Sequence, residues 1–217
     1  MIAYLLLVGV SLSVVPGAVS SCCMPHQFQT YMDVMTSGSP KEKRFKQMMV
    51  SYDAKSLKVA SIYLTQPEGN EVNIIQDFAT GKSYNWNRDF CRVYQSGPFY
   101  NICIPAKAKL VQKTFMGVSP NIINLDTYMM SQNNYTLFYR VGLHCTHVEI
   151  GGFSSKIPQP DGQLLFLFYN TTLRIKDPSV FIPPKMCFKN VTKIGRKLCF
   201  QPNHINNFLG DPNPCFP

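Results

Sequence analysis

The chain is 217 residues long, 45% apolar and only 15% charged, with 21 Lys and Arg against 12 Asp and Glu for a formal charge of +9. That composition can bury a real core, which excludes a disordered tail, and its aromatics and sixteen prolines exclude a coiled coil or long helical bundle. A domain takes roughly 100–200 residues, so a multi-domain enzyme is excluded as well.

Ala3 to Val15 is apolar apart from Tyr4, Gly9, Ser11 and Ser13, and carries no charge. Pro16-Gly17 breaks the run, and Ala18-Val19-Ser20 puts small residues at the positions read by signal peptidase. A membrane anchor needs roughly 20 continuous apolar residues. This run stops at Pro16, and the longest later stretch, Leu164 to Tyr169, has six residues. A cleaved signal over 1–20, a single domain over 21–217 and an extracellular protein that does not span a membrane are therefore expected.

Beyond the signal, short β-rich runs alternate with turn residues, the pattern of an all-β sandwich or barrel. A basic group, Lys41, Lys43, Arg44 and Lys46, leads into a strand from Phe45 to Tyr52. Asp53 to Ser56 makes the turn and Leu57 to Leu64 the returning strand. The scheme recurs from Val72 to Phe78, through Ala79 to Lys82, into Ser83 to Asn87. An Asp at such a turn can accept hydrogen bonds from backbone N–H groups two residues on. Further strands are expected over Leu110–Gly117, Asn121–Met130, Tyr135–Gly142, Thr146–Ile150 and Leu164–Ile175, with one helical turn at Ile205–Leu209. A second basic group, Lys185, Lys189, Lys193, Arg196 and Lys197, lies near the end. It is either a solvated face or a site for anionic partners such as sulfated glycans or acidic lipid head groups.

Eight cysteines, Cys22, Cys23, Cys91, Cys103, Cys145, Cys187, Cys199 and Cys215, all follow the expected cut. Their wide spacing fits long-range disulfides better than a zinc site. Eight cysteines allow 105 connectivities, and spacing alone does not choose among them. Sequons at Asn134, Asn170 and Asn190 point to a glycoprotein, for which nucleic acid is excluded as a partner.

The sequons also carry a parity argument, since successive strand side chains face opposite sides. With Asn134 outward on an unbulged strand, Tyr135, Leu137, Tyr139, Val141 and Leu143 point inward. With Asn170 outward, Leu165, Leu167, Tyr169, Thr171, Leu173 and Ile175 point inward. Leu164, Phe166 and Phe168 then fall on the outer side, as a strand end under a loop or as an apolar patch for dimerisation or a ligand.

Catalytic signatures are missing. There is no Gly-x-Ser-x-Gly elbow, His-Glu-x-x-His pair, P-loop or dinucleotide fingerprint. The acidic residues are scattered singly, and His144 and His147 would face opposite sides of a strand. A non-enzyme is expected.

The segment from Leu173-Arg174-Ile175-Lys176-Asp177-Pro178 to Ser179-Val180-Phe181-Ile182-Pro183-Pro184, closed by Cys187, resembles the most recognisable motif of the ependymin family. Ser51-Tyr52-Asp53 with Leu57-Lys58-Val59, Asp77 to Asn85 before Cys91, and Cys103-Ile104-Pro105-Ala106 stand in the family's order, the last in the manner of its invertebrate members. Physically the main motif reads as a strand that leaves the core and is then locked. Pro178 removes a ladder donor, Pro183-Pro184 holds the chain extended, and Cys187 pins the exit.

The resemblance implies two stacked, curved antiparallel sheets similar to bacterial lipoprotein carriers, with an apolar pocket for a lipid or another hydrophobic molecule. It implies a secreted or lysosomal glycoprotein that forms homodimers, binds calcium and associates with extracellular matrix. Carried over by position, its disulfides are Cys91–Cys187 and one of Cys22 or Cys23 with Cys145. The first cysteine of a third family bridge is missing here, leaving Cys103 and Cys215 as candidates to join Cys199. No EF-hand loop is present to place the calcium.

Two functions follow. One is a carrier whose pocket is lined by Leu137, Tyr139, Leu165, Leu167 and Tyr169. Burying about 300 Å² of acyl chain at roughly 25 cal/mol/Å² is worth several kcal/mol before entropy costs. The other is an adhesive matrix glycoprotein acting through glycans, basic groups and a dimer face.

Overall fold

The computed structural model describes residues 22–37, 44–64, 72–132, 135–154 and 163–189. The all-β expectation holds, in the form of one open antiparallel sheet of eleven strands. The strands are β1 (Gln27–Ser37), β2 (Arg44–Asp53), β3 (Lys58–Tyr63), β4 (Asn73–Asp77), β5 (Lys82–Trp86), β6 (Cys91–Gln95), β7 (Lys109–Val118), β8 (Asn121–Gln132), β9 (Tyr135–Val141), β10 (His147–Ser154) and β11 (Gln163–Thr172). Their order is β6-β5-β4-β3-β2-β1-β11-β10-β9-β8-β7. Two meanders, β1–β6 and β7–β11, are thus joined through β1 and β11, so the halves share one hydrogen-bonded ladder.

The Asp turns form as expected. Asp53 Oδ1 accepts the N–H groups of Lys55 at 2.9 Å and Ser56 at 3.2 Å, closing the β2–β3 hairpin. Burial opposes the Asp53 carboxylate, but bonds from Ser56, Gln27 and Lys55 outweigh it and hold its pKa below the usual range. Asp77 Oδ1 accepts from Thr80 N–H at 3.0 Å in the β4–β5 turn. Expected strand bounds shift by a few residues, and β1 and β6 come in addition to the expected set.

Register divides the side chains between two faces. The front face carries Phe28, Thr30, Met32 and Val34 of β1, Met48, Val50 and Tyr52 of β2, and Val59 and Tyr63 of β3. It continues through Phe166 and Phe168 of β11, Ile150 of β10, Leu137, Tyr139 and Val141 of β9, and Met130 of β8. Residues 96–108 cross this face as a strap. Ile102 packs with Met24, Phe28, Tyr52 and Val59, and Ile104 with Met130, Leu137, Tyr139, Val141 and Ile150. Val59 and Met130 lie six strand spacings apart, about 29 Å across a flat sheet. Ile102 and Ile104 are only about 7 Å apart along the chain. The sheet therefore curls around its strap.

Three disulfides fix this arrangement: Cys22–Cys145, Cys23–Cys103 and Cys91–Cys187. Met24 N–H donates to the Ile102 carbonyl at 2.7 Å and Ile104 N–H to the Cys22 carbonyl at 2.8 Å, so the strap is zipped to the start of the domain between two bridges. The first and third pairings agree with the family's. Cys103 does not join Cys199; the backbone pairing of Cys23 with Cys103 brings those two sulfurs together instead. Cys199 and Cys215 lie outside the described residues, as do residues 1–20 and Ile205–Leu209.

On the back face, β11 ends at Thr172 and the chain turns over β3, β4 and β5. Asp177 caps a 3-10 turn, Pro178–Phe181, accepting from Ser179 N–H at 2.9 Å and from its hydroxyl at 2.7 Å. These bonds hold the Asp177 carboxyl below its ordinary pKa. Phe181 is buried against Ala60 and Ile75, with Ile175, Val180, Tyr84 and Trp86 around it. A short helix α1 (Met186–Lys189) then places Cys187 against Cys91 of β6. The motif is a back plate for the first half of the sheet.

Candidate functional site

The front face divides into three apolar clusters, and they differ in what covers them. Strap residues belong to the two just described. The third is built from Met32, Met48 and Val50 with Val34, Tyr63, Phe166 and Phe168, all of them sheet residues from β1, β2, β3 and β11. Phe166 and Phe168 also pack against the Leu137–Tyr139 cluster, so they join the halves of the molecule. Val34, Tyr63, Phe166 and Phe168 remain half-buried. At the edge, the Lys46 ammonium lies 5.9 Å from the Tyr63 ring centre.

A polar ring is buried at the edge of this apolar field. His147 is fully buried, its ring 6.3 Å from those of both Tyr139 and Phe168. Its Nε2 has no hydrogen-bond partner among the described residues, and burial pushes its pKa down to about 4, so the imidazole is neutral. Burial also pushes the Tyr139 phenol up to about 12. Expected on a common strand, His144 and His147 instead stand apart: His144 is exposed in a 3-10 turn, Leu143–Cys145.

The pocket residues named from parity split between the faces. Leu137 and Tyr139 are buried on the front, with Val141 beside them, whereas Leu143 is exposed because β9 ends at Val141. Leu165, Leu167 and Tyr169 face the back. Tyr169 stacks on Tyr31 at 5.8 Å and donates to Asp33 Oδ1 at 3.0 Å, a polar setting that removes it from an apolar pocket. Phe166 and Phe168 face the front, not an outer patch, and the Leu164 backbone pairs with those of Gly152 and Thr36. The cause is local. Asn170 adopts φ +52°, and the register with β1 slips between Tyr31 and Gln29, so the alternation does not carry through from Asn170 to the rest of β11. Asn170 itself is exposed, while Asn134 and Asn190 lie outside the described residues.

The back face has different chemistry. An open cleft of about 390 Å³ between the sheet and the back plate is lined by Asp53, Lys58, Arg174 and Phe181 among others, a mixed rather than apolar wall. Lys58 pairs with Asp77 at 3.4 Å, and Arg140 with Glu149. Among the described residues no three His, Cys, Asp or Glu side chains come together to hold a metal ion. Of the two basic groups, Lys41, Lys43, Lys193, Arg196 and Lys197 fall outside the described residues.

Sequence comparison decides the family. A sequence model of the ependymin family matches residues 66–187, more than half of the chain. The chain belongs to the ependymin family. The matched span of this ependymin runs from just before β4 to Cys187 and so includes the strap, the back plate and the strands bearing Leu137, Tyr139, Phe166 and Phe168. No curated protein matches the chain. The three disulfides are bonds of an oxidising compartment and fit an extracellular protein. No helix among the described residues is long and apolar enough to cross a membrane.

Proposed function

We propose that this ependymin-family protein is a secreted carrier of a hydrophobic small molecule or lipid, bound on the front face beside the strap. The supporting observation is the cluster of Met32, Met48 and Val50 with half-buried Val34, Tyr63, Phe166 and Phe168, which no strap residue joins. Methionine and aromatic side chains suit such a surface. Unbranched thioethers adapt to irregular apolar shapes, and flat rings give large contact area at low entropic cost. His147 adds a neutral imidazole deep in the same field, whose unpaired Nε2 can donate a hydrogen bond to a ligand oxygen in one tautomer or accept one in the other. A polar group of this kind fixes orientation in an otherwise apolar pocket.

Native mass spectrometry of the glycoprotein secreted from eukaryotic cells, before and after organic extraction, tests the reading. A mass beyond the glycans that leaves on extraction and is identified as lipid is the expected result. Protein that carries no such mass, and takes none up when offered fatty acids or phospholipids, would overturn it.

A further inference from the structure

A single row of side chains crosses the open part of the front face. Phe168 lies opposite Met32, Met32 opposite Met48, and Met48 opposite Tyr63, so the row runs from β11 to β3. His147 extends it onto β10, its ring 6.3 Å from that of Phe168. A bulge puts it there. Between His147 and Glu149 β10 advances two residues while β9 advances one, so His147 shares the front side with its partner Val141 rather than the back side with Glu149. From β10 to β3 is four strand spacings, about 19 Å along the sheet, the span of a long acyl chain.

The two ends of the row differ in chemistry. At the Tyr63 end the Lys46 ammonium lies 5.9 Å from the ring centre, at the half-buried margin of the cluster. The front-facing residues of β1, β2, β3 and β11 include no Asp or Glu. A ligand carboxylate is therefore placed best beside Lys46, where it meets a cation and keeps contact with water. At the other end His147 is buried, and its pKa of about 4 keeps the imidazole neutral. A carboxylate there would lose its hydration to a neutral ring, which is costly. A hydroxyl suits that end instead. It both donates and accepts, so it satisfies Nε2 in either tautomer, and Nε2 has no partner among the described residues.

We infer that the row selects a long-chain fatty acid with a hydroxyl far from its carboxyl group. The carboxylate lies beside Lys46, the chain runs along Met48, Met32 and Phe168, and the hydroxyl bonds His147 Nε2. This rests on the front face being the carrier site and specifies which hydrophobic molecule that site prefers.

Displacement of cis-parinaric acid from the delipidated full-length protein tests it, with palmitic acid and ω-hydroxypalmitic acid as competitors. Wild type should bind the hydroxy acid about tenfold more tightly, through one hydrogen bond to a buried atom that otherwise has none. His147→Phe should erase that preference and leave palmitic acid binding unchanged. Lys46→Met should weaken both acids severalfold and keep the preference. The first comparison uses wild type alone and does not depend on how either variant folds. Equal affinity of wild type for the two acids, or a preference that survives His147→Phe, would overturn the inference and leave the carrier reading standing. So would a Lys46→Met variant that binds both acids as wild type does. Wild-type protein that takes up no cis-parinaric acid would overturn both.

Discussion

The strands β3 to β5 and the tip of the β7–β8 hairpin are both antiparallel ribbon, yet they meet opposite fates. On β3 to β5, Val59 is covered in front by Ile102 and Met24, while Ala60 and Ile75 are covered behind by Phe181. Cys23–Cys103 holds the front cover and Cys91–Cys187 the back one. The tip has neither cover, and its largest apolar side chains stand in solvent. Stability in this fold thus comes from segments that leave the sheet and are tied back across it, and apolar surface without such a cover is available for binding. The Met32–Met48 cluster lies between the extremes, buried in its centre and half-open around it.

Removing a cover should have the largest effect. Phe181→Ala is expected to cost about 3–5 kcal/mol in urea unfolding, and replacing Cys91 and Cys187 together by Ser about 2–5 kcal/mol. A loss below about 1 kcal/mol for both would show that the back plate is ornamental. The interior should also be sensitive to acid through His147. Its folded-state pKa, about 4, lies below the ordinary value of 6.5, so the proton binds the unfolded chain better. Stability is full above about pH 6.5 and is lost as pH falls towards 4, by up to roughly 3 kcal/mol. His147→Phe should flatten that part of the profile; an unaltered slope would contradict a buried neutral imidazole. A turn matters less. Asp53→Ala leaves the Lys55 and Ser56 N–H groups without their acceptor and should cost about 1 kcal/mol by thermal denaturation. Smallest of all, replacing Phe115, Val118 and Ile122 of the exposed tip together by Ser should change stability by no more than about 0.5 kcal/mol in thermal denaturation. A larger loss would mean that the tip belongs to the folded core.

The hairpins β2–β3 and β4–β5 were legible because their signals are local: alternating apolar residues around an Asp whose carboxylate closes the turn. β1 was overlooked although Phe28, Met32 and Val34 alternate, because polar Gln27, Gln29 and Asp33 on its back face dilute the pattern. Parity worked on β9 and failed on β11 for one residue, since a left-handed Asn170 resets the alternation and nothing in the residue type announces it. The Cys23–Cys103 bridge depends on the strap returning to the first strand, a long-range pairing that spacing does not encode. Phe115 to Ile123 read as ordinary strand because exposure depends on where β9 stops. The front face was visible in part, through Leu137 and Tyr139; its Met32–Phe166 portion required β1 to be seen beside β11.

The most direct measurement titrates the delipidated protein with the fluorescent fatty acid cis-parinaric acid and compares wild type with Val34→Glu. Val34 lies opposite Phe166 on one side and Lys46 on the other, so the new carboxylate gains a cationic neighbour while standing in the apolar field. Saturable binding by wild type, weakened at least about tenfold in a variant that still melts cooperatively, is the predicted result. Equal binding by the two proteins, or none by wild type, would contradict the front face as the carrier site.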